Sequence, residues 1–346
     1  MALGPVATAA SSRGLWRLAL RRLKRDRLGL GSFFVVLAFL AVSLASALGL
    51  VAADWEREIA VSYAPPGFLR GHSPAPDTTA STRDPTSDSP AQATGIEDPL
   101  RETLEEISKE LSGASESQSR AATRPLGADK WGRDVLLKVI KGTETSLLVG
   151  LSAAVLAVFL GTVFGANAGY FGGRVDAVFN WLYSVLTSIP YLLLILAIAA
   201  VLGQKGTTTV VLILGLTGWT GIFRLVRAEY LKHKVREYVQ AADAIGASDG
   251  RRMFVHILPN VSHVVLVQLS LHVVLFIKSE VILSFLGFGV GVDTVSWGSM
   301  LNEAQNELLI GKWWQLAAAT AAMAVLVTSF SLFTDALRDA LDPKLR

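Results

Sequence analysis

Residues 237–260, EYVQAADAIGASDGRRMFVHILPN, form a polar stretch between two long apolar segments of the chain. The stretch is too polar to span a membrane and too regular for a plain linker. Gly246 permits a turn, Ser248 or Asp249 can cap a following helix, and Pro259 marks the start of the next apolar segment. The pattern predicts a helix, a turn and a second helix outside the membrane.

Apolar segments long enough to cross a bilayer lie on both sides of this stretch. The mean hydropathy is +0.44, and 18% of the residues are charged, whereas an ordinary soluble protein has about 25%. A membrane helix needs about 20 consecutive apolar residues. The candidate spans are Leu30 to Ala53, Thr145 to Gly169, Ala177 to Leu202, Thr207 to Phe223, Ile257 to Phe288 and Trp313 to Thr334. The sequence therefore predicts an all-α membrane protein with about six transmembrane helices.

The basic residues are distributed unevenly around these spans, and positive charge in short loops stays on the cytoplasmic side. They cluster before the first span (Arg13, Arg17, Arg21, Arg22, Lys24, Arg25, Arg27) and between the fourth and fifth (Arg224, Arg227, Lys232, Lys234, Arg236, Arg251, Arg252). The short outer loops carry Lys205 and Lys312. Residues 1–29 and 338–346, the latter with Arg338, Lys344 and Arg346, are therefore expected in the cytoplasm. The first span, residues 30–53, is expected to be retained, because the apolar core of a signal peptide has only about 7 to 15 residues.

Residues 54–142 form a long segment that is expected on the outer side of the membrane. Residues 71–94 are rich in Pro, Ser, Thr and Asp, a composition typical of a disordered linker. Residues 98–113 have an apolar face at helical spacing and end at Gly113, which predicts a short amphipathic helix. This helix could rest in solvent on the outer face or serve as a docking surface for a partner.

Small residues and a proline mark two of the spans. Gly161, Gly165 and Gly169 recur every four residues and form a stripe that allows a second helix to approach closely. Pro190 removes a hydrogen bond within the third span and is expected to kink it, and Thr187 or Ser188 could satisfy the carbonyl that is released. The kink could be purely structural or could act as a gating hinge.

Lys278 and Glu280 interrupt the fifth span, although charges at a helix centre cost about 2.5–3.5 kcal/mol each. Their spacing of two places them on nearly opposite sides of a helix, so they do not pair with each other. Glu280 could face a translocation path or pair with a basic residue of another helix. The alternative is that it lies near the outer end and reaches the membrane surface with its flexible side chain.

The stretch at residues 237–260 resembles the EAA loop of ABC importer permeases, in which Glu-Ala-Ala is followed by Gly and later by Ile-x-Leu-Pro. The matching positions are Gln240, Ala241, Ala242, Gly246, His256, Leu258 and Pro259. Gln240 replaces the glutamate and His256 replaces the isoleucine. The His-Ile-Leu-Pro-Asn form is similar to that of the peptide importers.

Other stretches resemble the C-type subunit of dipeptide and oligopeptide permeases. They are Pro-Leu-Gly-Ala-Asp-Lys-Trp-Gly-Arg-Asp (125–134), Gly-Tyr-Phe-Gly-Gly-Arg-Val-Asp (169–176), Leu-Ser-Phe-Leu-Gly-Phe-Gly (283–289), Trp-Gly-Ser-Met (297–300) and Asp-Ala-Leu-Arg-Asp-Ala-Leu-Asp-Pro (335–343). The resemblance is weak over residues 15–53 and strong over residues 124–346. It implies the ABC importer permease fold, with a five-helix core at residues 143–337 and a coupling loop at 237–260.

The resemblance also implies an assembly in a bacterial plasma (inner) membrane. Its expected partners are a second homologous permease subunit, two ATP-binding subunits, an extracytoplasmic substrate-binding protein and membrane lipid, with no nucleic acid. Glu280 and Lys278 are the candidate residues of the translocation pathway. ATP and Mg would be bound by the partner subunits and no cofactor by this chain. No Gly-x-x-x-x-Gly-Lys-Ser/Thr phosphate loop occurs in the sequence, so ATP hydrolysis is assigned to another protein.

Other functions remain open from the sequence alone. Importers of nickel, opines, glycosides and antimicrobial peptides resemble the same branch. A proton-coupled carrier, in which Glu280 titrates, and a membrane scaffold or insertion factor are hypotheses from other classes. The chain has no cysteine, which excludes disulfides, thiolate metal sites and cysteine nucleophiles. His256, His263 and His272 are too widely spread along the chain for a zinc site, so none is predicted.

Overall fold

The structure, a computed structural model, describes residues 26–69, 120–291 and 293–341. The chain divides into two compact units, one of residues 1–55 and 137–346 and one of residues 56–136. The helices are α1 (Arg27–Ala47), α2 (Val135–Phe171), α3 (Gly173–Thr187), α4 (Tyr191–Leu202), α5 (Thr207–Thr217), α6 (Thr220–His233), α7 (Glu237–Ala244), α8 (Asp249–Arg251), α9 (Leu258–Phe285), α10 (Trp297–Leu309) and α11 (Trp314–Leu341). A π-helical turn, Arg252–Ile257, joins α8 to α9.

Five helical stretches are long and apolar enough to cross a membrane, and a bent pair of helices brings the number to six. The five are Arg27–Ala47, Val135–Phe171, Thr207–His233, Asp249–Phe285 and Trp314–Leu341. The sixth combines Gly173–Thr187 with Tyr191–Leu202. The predicted all-α membrane fold is thereby confirmed. The predicted amphipathic helix at residues 98–113 and the linker at 71–94 lie outside the described residues.

The glycine stripe of α2 lies directly against the backbone of α6. A Cβ atom at Gly161 would stand 2.8 Å from the carbonyl oxygen of Trp219, and one at Gly169 would stand 2.7 Å from that of Arg227. These separations are shorter than real Cβ contacts allow. The stripe therefore performs the close packing that its spacing predicts.

The third span is broken at Pro190, where α3 and α4 meet at 85°. Pro190 precedes the first residue of α4, and its own carbonyl accepts from Leu194 N at 3.0 Å. Thr187 Oγ1 donates to Tyr183 O at 2.9 Å, and Ser188 Oγ donates to Val185 O at 2.7 Å. The predicted kink is therefore a full break in the helix, with hydroxyl groups bonded to carbonyls of the preceding turn.

The fourth span continues further than its composition predicts. The sequence places its end at Phe223, but after a break near Gly218 the helix α6 runs on to His233. The prediction was wrong because a run of apolar residues ends at the first charge, whereas a helix can carry a charge that is paired. Arg227 on α6 donates to Asp176 on α3 through Nε at 2.5 Å and Nη2 at 2.7 Å.

The helix α10 was not predicted from the sequence, although its signals are present. Ser296 caps it: Ser299 N donates to Ser296 Oγ at 3.2 Å, and Ser296 N donates to Ser299 Oγ at 2.9 Å. This reciprocal pair satisfies two backbone N–H groups at the start of the helix. The buried side chains Trp297, Met300 and Ala304 repeat at helical spacing, and α10 packs against α9 and α11.

The second unit is described over residues 56–69 and 120–136, which pair through isolated bridges such as Glu58 with Arg133 and Ala60 with Ala121. The buried side chain of Asp129 organises the turn at 129–133. Its carboxylate accepts from Trp131 N at 2.9 Å and from Arg133 N at 2.9 Å, and Arg133 Nε donates to it at 2.8 Å. The Asp-Lys-Trp-Gly-Arg motif is therefore a rigid turn.

Candidate functional site

The polar stretch at residues 237–260 has the predicted arrangement of a helix, a turn and a second helix. The helix α7 ends near Ile245, and Gly246 then takes φ +81°. This backbone conformation favours glycine, because a Cβ atom would clash with the neighbouring carbonyl. Ser248 precedes α8 in the capping position, but its side chain makes no capping hydrogen bond.

The predicted coupling residues do not all face the same way. Gln240, Ala241, Gly246 and Pro259 are exposed, and His256 and Leu258 are half-buried. Ala242 is buried at 4% exposure.

Ala242 is one of the positions predicted for the coupling loop, but its side chain faces the interior of its own subunit and is not available to a partner. A Cβ atom at Gly246 would meet nothing within 4 Å, so within this chain glycine is required for its backbone conformation, in agreement with the predicted turn.

Ion pairs and hydrogen bonds connect the turn to the end of α2. Arg252 pairs with Asp243 on α7 and, at 2.5 Å, with Asp249. Tyr170 Oη, on the last turn of α2, donates to Asp249 Oδ1 at 2.8 Å. Lys234 Nζ donates to the carbonyl of Tyr170 at 3.2 Å. These bonds link α7 and the turn to the end of a spanning helix.

These connecting residues were missed as site residues. Tyr170 belongs to the Gly-Tyr-Phe-Gly-Gly-Arg-Val-Asp motif, whose sequence indicates a family resemblance but no contact. Asp176, at the other end of the same motif, accepts both bonds from Arg227. The motif could have indicated a contact, but residues some 50 to 80 positions apart cannot be paired by inspecting one sequence.

The turn also presents large apolar side chains to its surroundings. Ile245 is 85% exposed, and Val235, Phe254 and Val255 are exposed on neighbouring turns. Ala241 lies on the same short helix and adds no bulk beside Ile245. Exposed apolar groups concentrated on a polar loop are typical of a surface that contacts another protein or the membrane. We call Ile245, Ala241 and Gly246 the turn surface.

Glu280 on α9 lies at the centre of a second polar cluster, which is entirely buried. Ser146 Oγ on α2 donates to Glu280 Oε2 at 2.8 Å, and Ser284 Oγ donates to Oε1 at 2.6 Å. Each hydroxyl also accepts a backbone N–H, from Trp297 at 3.4 Å and from Val290 at 3.3 Å. Glu280 thus joins α2 and α9 to the start of α10.

The two charges of the fifth span have different surroundings, and as predicted they do not pair. Glu280 has no exposed surface, so the alternative that it reaches the membrane surface is wrong. Nor does its side chain reach an open face of this unit. Lys278 is exposed on the other side of α9, and its role in a translocation pathway stays a prediction.

A buried lysine fixes the other side of α10. Lys138 on α2, with 1% of its side chain exposed, donates to Glu303 Oε2 on α10 at 2.6 Å and to Gln315 Oε1 on α11 at 3.3 Å. Glu280 and Lys138 therefore hold α10 from two directions. No group of three or more His, Asp or Glu side chains that could hold a metal ion occurs in the described parts of the chain.

Comparison with known proteins finds one family that matches more than half of the chain. The family described as "binding-protein-dependent transport system inner membrane component" matches residues 157–346, a range that includes the turn surface and Glu280. The dipeptide transport system permease protein of Bacillus subtilis is 38% identical over 64% of this chain and 68% of its own length.

Two further relatives have similar names. The oligopeptide transport system permease protein of the same organism is 36% identical over 64% of this chain and 72% of its own. A glutathione transport system permease protein of Pectobacterium atrosepticum is 35% identical over 64% and 73%.

Proposed function

Because the chain belongs to the family of binding-protein-dependent transport system inner membrane components, we propose that it is a permease subunit of an ATP-driven ABC importer for short peptides. The names of its relatives, which are permeases for dipeptides, oligopeptides and glutathione, support peptides as the substrate class. The chain itself is a transport subunit and not a catalytic enzyme.

The turn surface is the observation that gives this proposal its strongest support. A short helix with an exposed isoleucine, an exposed alanine and a left-handed glycine fits a groove of a partner, because small residues allow close approach of two backbones. The ion pairs of Arg252 and the bond from Tyr170 to Asp249 then pass a movement of the partner to α2. A change in the spanning helices would follow.

The partners are assigned by the same reasoning. We propose that two ATP-binding subunits seat against the turn surfaces of this chain and of a second, homologous permease subunit. ATP and Mg belong to those subunits and not to this chain. An extracytoplasmic binding protein delivers the peptide on the side of residues 56–136.

A proton-coupled carrier is not favoured by the surroundings of Glu280. A titrating carrier group must exchange protons with water on at least one side. Glu280 has no exposed surface and is enclosed by hydroxyl donors from α2 and α9.

The orientation of the chain in a bacterial plasma membrane is a prediction that thiol labelling can test. Both termini and the turn at Ser248 are expected in the cytoplasm, and residues 56–136 are expected outside. In this cysteine-free chain, Ser62→Cys should react with an impermeant thiol reagent in whole cells, whereas Ser248→Cys should react only after permeabilisation. Both positions are exposed. The reverse pattern of labelling would contradict the orientation.

Coupling to the ATPase is expected to fail in Gly246→Trp. Tryptophan adds bulk at the contact and strains a residue held at φ +81°. Overpacking typically costs about 1–3 kcal/mol, which corresponds to a roughly 5- to 150-fold loss of association. The measurement is the amount of ATPase that co-elutes with the complex purified from membranes, together with peptide-stimulated hydrolysis.

Two control variants separate bulk from strain in this experiment. Gly246→Asn is expected to retain most of the association, because asparagine tolerates the left-handed conformation better than other residues. Gln240→Ala should be mild, since Gln240 only donates to Val235 O at 3.3 Å. Full co-elution and full stimulation of Gly246→Trp would show that this turn does not receive the ATPase.

A further inference from the structure

A cleft of about 410 Å³ with a mixed polar and apolar lining opens in the helical unit, away from the turn surface. Its lining includes Lys141, Glu144 and Thr145 from α2, Thr207 and Thr208 from the start of α5, and Asp293 from the loop before α10. Pockets for small ligands typically measure about 300–1,000 Å³. The cleft is therefore large enough for a short peptide.

Both signs of charge meet in this cleft. Lys141 Nζ pairs with Glu144 Oε2 at 2.7 Å, and Ser46 Oγ from α1 donates to the same oxygen at 2.6 Å. Since both bonds are made to one oxygen, Glu144 is held in place while 27% of the Lys141 side chain and 19% of that of Glu144 remain exposed. Asp293, on the loop before α10, is exposed and adds a second carboxylate.

Two walls of the cleft, α2 and the loop that carries Asp293, are joined by the buried cluster around Glu280. Thr145, in the cleft, is followed by Ser146, which donates to Glu280. The loop that carries Asp293 continues into Trp297, whose N–H donates to Ser146 Oγ at 3.4 Å. A binding site works best when its groups are fixed by a supporting layer of contacts, and Glu280 supplies that layer here.

We propose that this cleft binds the charged backbone of a short zwitterionic peptide during transport, with Asp293 accepting from the peptide ammonium and Lys141 donating to its carboxylate. This proposal rests on the proposed function and names the site through which it acts. The two carboxylates repel an anionic solute, whereas a zwitterion can place its ammonium against Asp293 and its carboxylate against Lys141. The hydroxyls of Thr145, Thr207 and Thr208 can donate or accept, so they suit peptide groups without selecting side chains.

Protection of a single cysteine tests the proposal. The complete transporter carrying Thr208→Cys is reconstituted in vesicles and treated with a maleimide in the presence of the dipeptide Ala-Ala. Ala-Ala is expected to slow labelling in a saturable manner. Leu309→Cys, at an 86% exposed position on α10 outside the cleft, should be labelled at the same rate with and without the dipeptide. Thr294→Cys, on the opposite wall, is a second reporter if Thr208→Cys does not assemble.

Removing the carboxylate of Asp293 from the protein, or the ammonium group from the peptide, tests whether these two groups are in contact. In the Thr208→Cys background, Asp293→Asn is expected to raise the half-protecting concentration of Ala-Ala by up to about fivefold, the effect of losing an ion pair at an exposed site. N-acetyl-Ala-Ala, which lacks the ammonium, should protect the cysteine equally weakly in the protein with Asp293 and in the Asp293→Asn variant. If Asp293→Asn reduced the protection by both peptides to the same extent, the assignment of Asp293 would be overturned.

Uptake of radiolabelled Ala-Ala by the same vesicles separates this proposal from the proposed function. Uptake without any protection at Thr208→Cys or Thr294→Cys would overturn the cleft as the peptide site and leave the transport function standing. Protection in vesicles that accumulate no peptide would support the cleft and overturn the transport function.

Discussion

Gly165→Leu is expected to prevent stable accumulation of the protein in the membrane. A Cβ atom at Gly165 would lie 2.8 Å from the carbonyl oxygen of Phe223 and 3.0 Å from the backbone nitrogen of Arg227 on α6. Overpacking costs about 1–3 kcal/mol where side chains can yield. Here the obstacles are backbone atoms, so α2 and α6 must separate along the whole glycine stripe.

Membrane abundance and the elution profile in mild detergent measure this effect. A loss of at least about tenfold in folded protein, equivalent to 1.4 kcal/mol, is expected. Gly31→Leu is the matched control: Gly31 also lies in a spanning helix, but a Cβ atom there would meet nothing within 4 Å. Normal accumulation of Gly165→Leu would mean that α2 and α6 do not pack as described.

Glu280→Gln is expected to lower peptide uptake several-fold while the protein still reaches the membrane. The hydroxyls of Ser146 and Ser284 each accept a backbone N–H and donate to the glutamate. An amide offers an acceptor to one of them and a donor to the other, so one hydroxyl loses its acceptor. A buried polar group without its partner costs about 1–3 kcal/mol, and this cost loosens the start of α10.

A cysteine on α10 distinguishes a positioning role of Glu280 from direct contact with the peptide. Met300 has no exposed surface, so Met300→Cys should resist thiol labelling until α10 detaches. Combined with Glu280→Gln, it is expected to label about tenfold faster, with or without peptide. Glu229→Gln is the matched control, because Glu229 pairs with Lys232 at a partly exposed site and such pairs contribute about 1 kcal/mol or less. Reduced uptake with unchanged labelling of Met300→Cys would argue against the positioning role.

The sequence by itself determined the membrane fold, because the signals for spans and turns are local. Uncharged runs of sufficient length indicate the spans, and Gly246 and Pro259 delimit the segments of the turn. The stripe of Gly161, Gly165 and Gly169 predicted a close helix contact, since its spacing of four brings small residues onto one face. The partner helix, α6, did not follow from that spacing.

The tertiary structure alone decided which polar residues meet. The inward direction of Ala242, the bonds from Ser146 to Glu280 and from Tyr170 to Asp249, and the pairing of Arg227 with Asp176 all depend on helices that are distant in the chain. The sequence placed Arg227 in a loop because a charge usually ends an apolar run. Once Asp176 lies beside it, the charge is neutralised and the helix continues. Periodicity determines which face of a helix is apolar, but only packing between distant segments determines what that face contacts.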